Sequence, residues 1–541
     1  MTCVLRLATP VVLCLGLVCR LAAQEAHDHH GETLGRVVFP VSCSPEAQSR
    51  FERAMALLHS FWWEEGDRAF HGVAVADTTC AMAYWGLALN AWGNPFVGGP
   101  AGDNLRRGAA NTIRGLALGA PTARERGFLA AAGALYRDYE AVPNPRRLQA
   151  YSDTLARVYH DFPDDPEVAI YYALSLVATA SPTDTTFMRQ RQAAAILNPL
   201  FRRFPEHPGL AHYIIHANDS PQLASLGLDA ARRYAQIAPS APHAQHMPSH
   251  IFIRLGLWDE TIAANQRSLD AGIEYARAQH LKGVAPEQFH ALDYMVYGYL
   301  QEGRDSAARR TVAQGLALTT VLSSDALVTN YNRVAMEARV PLERGDWAAA
   351  AGLPVRAGAQ GGIGEALGHF TRGLGAARRG DTVQARVEIA ALATIEAALA
   401  GQPGYSWSRV VGNEKQAVTA WVLLTVGDTA GAQREAKAAA DREDVTAKHP
   451  VTPGELLPAR ELEGDLLLAL GRYASARAAY EATLRREPGR PRSLFGAARA
   501  ADLAGDVAAA RTGYRAYLAR MQQGDGARPE LEIARGALSG R

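Results

Sequence analysis

One ten-residue segment occurs twice, 34 residues apart. Gly471-Arg472-Tyr473-Ala474-Ser475-Ala476-Arg477-Ala478-Ala479-Tyr480 returns as Gly505-Asp506-Val507-Ala508-Ala509-Ala510-Arg511-Thr512-Gly513-Tyr514, with glycine, alanine and tyrosine each displaced by 34. A period of this length constrains folding strongly, because one such unit cannot bury its apolar face alone and must stack on neighbours. The same Gly-x4-Ala step appears at Gly303/Ala308, Gly345/Ala350, Gly380/Ala385 and Gly427/Ala432, at spacings of 35 to 47. Beyond residue 44 no strand-like alternation appears. Alanine-rich stretches with a 3.6-residue period follow one another instead, broken by Gly, Pro or Asp, so the expected fold class is all-α.

The turn glycine, the small alanine, the tyrosine four residues after it and a closing Pro488 make the chain resemble the tetratricopeptide repeat superfamily. The resemblance is sharpest in the last two units. It implies a solenoid of helix-turn-helix units, a right-handed superhelix whose concave groove binds a protein or peptide partner. Trp258, Trp347 and the Tyr84-Trp85 pair read as packing between helices. Glycine-rich stretches at 356–364 and 401–412 mark seams, which divides the chain into a degenerate array over 44–357 and a more regular one over 358–541. A continuous solenoid is the alternative.

Charge narrows the partners. With 56 Lys+Arg against 55 Asp+Glu, the net charge of +1 gives no reason to expect a nucleic acid. Arg6 precedes an apolar run from Leu7 to Val18 that ends in Ala22-Ala23, which reads as a cleaved signal over 1–23, too short to span a bilayer. The mature protein is therefore expected to be secreted or periplasmic, with no transmembrane segment. A lipid anchor on Cys19 does not suit the preceding Leu17-Val18. Cys3, Cys14 and Cys19 fall in the signal, which leaves Cys43 and Cys80 for one disulfide, with two buried thiols as the alternative. Residues 24–43 read as a flexible segment whose His27-Asp28-His29-His30 tract could capture a metal.

Half of the 16 histidines lie between His207 and Tyr297. His212 and His216 are four apart, as are His246 and His250, and the pairs are offset by 34, so each pair shares one helix face. The turn glycines give an independent register. His250, His246 and His243 precede Gly256 by 6, 10 and 13 residues, and Tyr297, Asp293 and His290 precede Gly303 by the same distances. Pro239 follows His216 by 23, where a closing proline is expected. The tetratricopeptide resemblance places these positions on the groove side of successive first helices, which stack about 8 to 10 Å apart. His212, His216, His243, His246, His250, His290 and Asp293 are therefore candidate metal ligands. His59, His71, His207 and His280 read as packing residues.

Imidazoles with one carboxylate and no thiolate suit a transition metal, with Zn or Cu favoured. Seven candidates exceed the four that one zinc needs, so either two ions bind or Asp293 orients an imidazole. The paired His-x3-His helices also resemble, locally, dinuclear type 3 copper proteins, which need two three-histidine sets on a different helical bundle. No phosphate-binding loop, nucleophile elbow, His-Glu-x2-His pair or Cys-x2-Cys-His site occurs, so neither nucleotide nor covalent haem is expected. The acidic Asp161-Phe162-Pro163-Asp164-Asp165 string reads as a helix cap. The favoured reading is an exported repeat scaffold that binds metal in its groove and recruits a protein through its C-terminal repeats, because no carboxylate is left over as a general base once Asp293 is used. The alternatives are a metalloenzyme, oxidase or hydrolase, with Tyr213, Tyr294 and Tyr297 near the centre, and a metal-free module for protein–protein interaction.

Overall fold

The computed structural model describes residues 32–322, 326–356, 362–402 and 404–539. The signal-like segment and the His27–His30 tract lie outside the described residues. Leu34–Arg541 form one compact unit. Its described residues are helices from Pro45–His59 to Pro529–Ser539 with no strand, only an isolated bridge between Val284 and Val321. Among the described residues, consecutive helices pack on each other along the chain. No described helix is long and apolar enough to cross a membrane.

The repeat register read from the sequence is the register of the fold. Gly303, Gly345, Gly380, Gly427, Gly471 and Gly505 all have φ between 64° and 88°, the left-handed turn that glycine adopts without a Cβ clash. The alanines five residues on, Ala308, Ala350, Ala385, Ala432, Ala476 and Ala510, are buried where the two helices of a unit meet. Tyr480 and Tyr514 are buried as well. A further regularity emerges after four of these glycines. Asp346, Asp381, Asp428 and Asp506 each cap the second helix, accepting the backbone N–H three residues on at 2.8 to 3.1 Å. Each such cap contributes about 1 kcal/mol. The tetratricopeptide-like helix-turn-helix array thus rests on a turn, a contact and a cap repeated in step.

Ala326–Glu343 packs directly on Ile363–Arg378. The C-terminal repeats also reach back to the middle of the chain: buried Arg490 pairs with Glu343 and Glu461, and Tyr297 donates to Glu487 at 2.9 Å.

Cys43 and Cys80 form a disulfide. Cys43 precedes Ser44, the N-cap of Pro45–His59, and Cys80 is the N-cap of Ala81–Trp92. Asp165 caps Pro166–Ala178 by accepting from Val168 N at 3.0 Å. The described end of the 24–43 segment departs from the expected flexibility. Leu34, Val37 and Phe39 are buried, and the Phe39 ring packs 5.2 Å from both Phe51 and Phe128. An apolar residue at every second or third position lets an extended strap sit in the core; the polar residues just upstream conceal that pattern.

Candidate metal centre

Four helical segments carry the six histidines. Pro208–Asn218 supplies His212 and His216, Pro242–His246 supplies His243 and His246, Pro248–Leu255 supplies His250, and Pro286–Gln301 supplies His290. The expected single helix through His243, His246 and His250 is interrupted at Met247-Pro248, because proline has no N–H for the ladder. His246 and His250 nevertheless remain on one face.

The histidines divide into two triads, His212/His216/His243 and His246/His250/His290, each with one ring nitrogen per residue within 4.8 Å of the others. Within the triads, His212 Nε2 lies 3.0 Å from His216 Nε2, and His246 Nε2 lies 3.0 Å from His250 Nε2. The triads adjoin, with ring centroids 6.1 Å apart for His243 and His246 and 6.3 Å apart for His216 and His250.

Hydrogen bonds outside the cluster fix three tautomers. His212 Nδ1 donates to the backbone carbonyl of His59 at 2.6 Å, and a carbonyl can only accept. His250 Nδ1 donates to Asp219 at 2.9 Å. His246 Nδ1 donates to Asn265 Oδ1 at 2.6 Å, with the amide held in that orientation by its own donation to Thr261 O at 2.8 Å. Each of these neutral imidazoles therefore turns an Nε2 lone pair inward. Burial works against charge on Asp219, but Lys448, Arg254 and the His250 N–H outweigh it and hold the carboxylate well below its usual range. Burial first, and the neighbouring imidazoles second, push His212, His216, His243, His246 and His290 well below the ordinary histidine value. His250 is lowered too, with Asp219 opposing. His243 Nε2 and His290 Nδ1 are buried without a hydrogen-bond partner. The set is thus neutral, lone-pair-rich and partly unsatisfied.

The cluster is interior rather than on an open groove wall. His212, His246 and His250 are at most 3% exposed, and aromatic rings surround the set. Phe96 lies 4.1 Å from His216, Tyr234 stacks at 5.3 Å on His212, and Tyr294 lies 4.8, 5.4 and 4.9 Å from His246, His250 and His290. Phe61 lies 4.4 Å from His212 and 5.5 Å from His243. Its φ of 53° is strained for an aromatic residue.

Asp293 does not join the histidines. Buried Arg339 binds both of its oxygens, at 2.7 and 3.1 Å, and also donates to Thr452 Oγ1 and the carbonyls of Gly454 and Glu455. The i+3 spacing from His290 places Asp293 on a neighbouring part of the helix, and the cation that claims it lies 46 residues downstream. Tyr297 is likewise engaged elsewhere, by Glu487 and Arg490. Carboxylate support comes from Asp219 instead. The signal for it was present, three residues after His216 at a helix C-terminus.

His59 and His207, read as packing residues, form a second polar network with Glu167, all buried. Glu167 accepts from His207 Nε2 at 2.9 Å and His59 Nε2 at 3.1 Å, so His59 Nδ1 accepts from Tyr213 Oη at 3.0 Å. Burial disfavours the Glu167 carboxylate, but the two histidines prevail and hold it at about 2. Gly209 permits the His59 ring to approach, since a Cβ there would meet His59 Nδ1 at 2.4 Å. This trio could also hold an ion, although its converging atoms already bond one another. No local period marks His59, so sequence reasoning missed it.

No family model and no curated protein matches the chain. Among solved structures, a human IFIT1 dimer with m7Gppp-AAAA is 10% identical over 78% of this chain and 87% of that one, with a TM-score of 0.38. Yeast Tom70 is 10% identical over 91% and 96%, with a TM-score of 0.31. The P58(IPK) TPR domain is 14% identical over 70% and 99%, with a TM-score of 0.20.

Proposed function

We propose that the chain is an exported helical-repeat metalloprotein whose two histidine triads hold a pair of transition-metal ions in a reaction centre. One observation carries this reading. His246 and His250 both keep their protons on Nδ1, yet their Nε2 atoms face each other at 3.0 Å. Two lone pairs at that distance repel unless a cation lies between them, and burial opposes an imidazolium. Two nitrogens bound at about 2.0 Å to one ion sit about 3 Å apart, which fits this spacing. The outward hydrogen bonds to the His59 carbonyl, Asn265 and Asp219 are the supports that metal-bound imidazoles use.

Six imidazoles without thiolate or carboxylate favour copper, with zinc next. Two three-histidine sets are also what the type 3 copper resemblance requires. Such a pair supplies Lewis acidity when bound and, with copper, electron exchange. The buried, aromatic-walled position supports a reaction centre over a metal store or a groove that presents metal to a partner. Export is supported by the signal-like N-terminus and by the Cys43–Cys80 disulfide, a bond favoured in oxidising compartments.

Elemental analysis tests the reading on protein made without a polyhistidine tag and without residues 24–31. Two equivalents of copper or zinc per chain are expected, falling to one in His212→Ala and one in His246→Ala with helicity kept. A chain that stays metal-free after incubation with both ions refutes it.

A further inference from the structure

An apolar cleft lies against the histidine centre. It lies between the helices Pro45–His59, Ala81–Trp92, Asn144–Asp161, Pro166–Ala178 and Pro208–Asn218. Phe61, Trp63, Trp92, Tyr151, Leu174 and Tyr213 are among its walls, and no charged side chain among the described residues lines it. The cleft and the first triad share a wall. Phe61 contacts His212 and His243 on one side and lines the cleft on the other, and the Tyr213 ring lies 5.2 Å from His212.

We propose that this cleft binds a compact, uncharged, apolar ring compound and holds it against Phe61 beside the centre. The charge preference follows from desolvation: an ion entering the cleft would lose water and find no counter-charge. The ring preference follows from the aromatic side chains, which offer faces and edges to a flat guest. Phe61 is the element that couples the two sites. Its strained backbone turns the ring between the cleft and two histidines, so a guest touching Phe61 lies one side chain from the triad. Tyr213 gives the same wall a polar link, since its hydroxyl donates to His59 and through it reaches Glu167. That the guest is the substrate of the centre rests on the paired-metal reading; that the cleft binds it does not.

The test therefore begins with metal-free, full-length protein. Calorimetric titration with toluene and benzyl alcohol should give saturable 1:1 binding, and benzoate and benzylamine should bind at least tenfold more weakly. Ala178→Phe, which adds bulk to one wall of the cleft, should weaken both neutral probes at least tenfold, and Leu174→Phe serves the same purpose if the first variant loses helicity. Absence of neutral-probe binding, equal binding of the charged probes, or undiminished binding in a folded variant would overturn the proposal. Adjacency is read from the ¹⁹F line of 4-fluorobenzyl alcohol, expected to broaden with Co(II)-loaded protein and not with metal-free protein. Binding without broadening in a loaded sample would overturn the placement. Failure to take up Co(II) would count against the metal reading alone.

Discussion

His246 and His250 face each other through Nε2 atoms 3.0 Å apart, with both rings anchored from behind, one by Asn265 and the other by Asp219. The i, i+4 spacing brings the rings together across the Pro248 break, but the remote acceptors decide which nitrogens meet. An acceptor behind each ring turns two ordinary histidines into a converging pair of lone pairs.

Asp219 should therefore tune the site without being a ligand. Asp219→Asn is expected to weaken metal binding about 10- to 100-fold at unchanged stoichiometry. Competition with a chelator of known affinity measures this. An unchanged affinity would show that the carboxylate serves only Arg254 and Lys448.

Asp293 provides the contrasting case. Asp293→Ala leaves Arg339 buried and unpaired, a loss of about 3 to 5 kcal/mol, while both ions remain. Thermal unfolding and elemental analysis on one sample separate the two effects, and loss of an ion would return Asp293 to the ligand set.

The metal-free protein should be acid-sensitive. The folded state holds the six imidazoles below 6.5, so below that pH the unfolded chain binds more protons and stability falls. Each imidazole still neutral in the fold removes up to about 1.4 kcal/mol per pH unit over that window. Denaturant midpoints between pH 7.5 and 5.5 should drop steeply, and a flat profile would contradict the buried neutral cluster. Metal should raise stability without flattening the profile, because the occupied nitrogens stay unprotonated in the fold while the unfolded chain still takes up protons.

Replacing Cys43 and Cys80 by serine opens a loop of 37 residues, and chain entropy sets the loss at about 3 to 4 kcal/mol. Chemical denaturation gives the value. Metal content should hold, since the bridge joins helix starts and none of the six triad histidines lies on either helix.

Much of the fold was legible because it is written in local spacing. The Gly-x4-Ala steps register correctly as left-handed turns followed by buried contacts, since a turn and a crossing five residues apart belong to one unit. The His212/His216 and His246/His250 pairs were legible for the same reason: a helix places residues four apart on one face. The capping role of Asp346, Asp381, Asp428 and Asp506 was equally local and went unread, although each directly follows a turn glycine.

What the sequence determined by itself was the all-α array, the register of the repeats and the helix faces that carry the histidines, because these follow from backbone periods of a few residues. Tertiary structure decided the division into two triads, the diversion of Asp293 to Arg339 and the arrival at His212 of His59, 153 residues upstream, and of Phe61 beside it. It also set the tautomers, through Asp219, Asn265 and the His59 carbonyl. These outcomes depend on how stacked helices cross, and on which buried cation or acceptor reaches a group first; neither is encoded in the spacing along one helix.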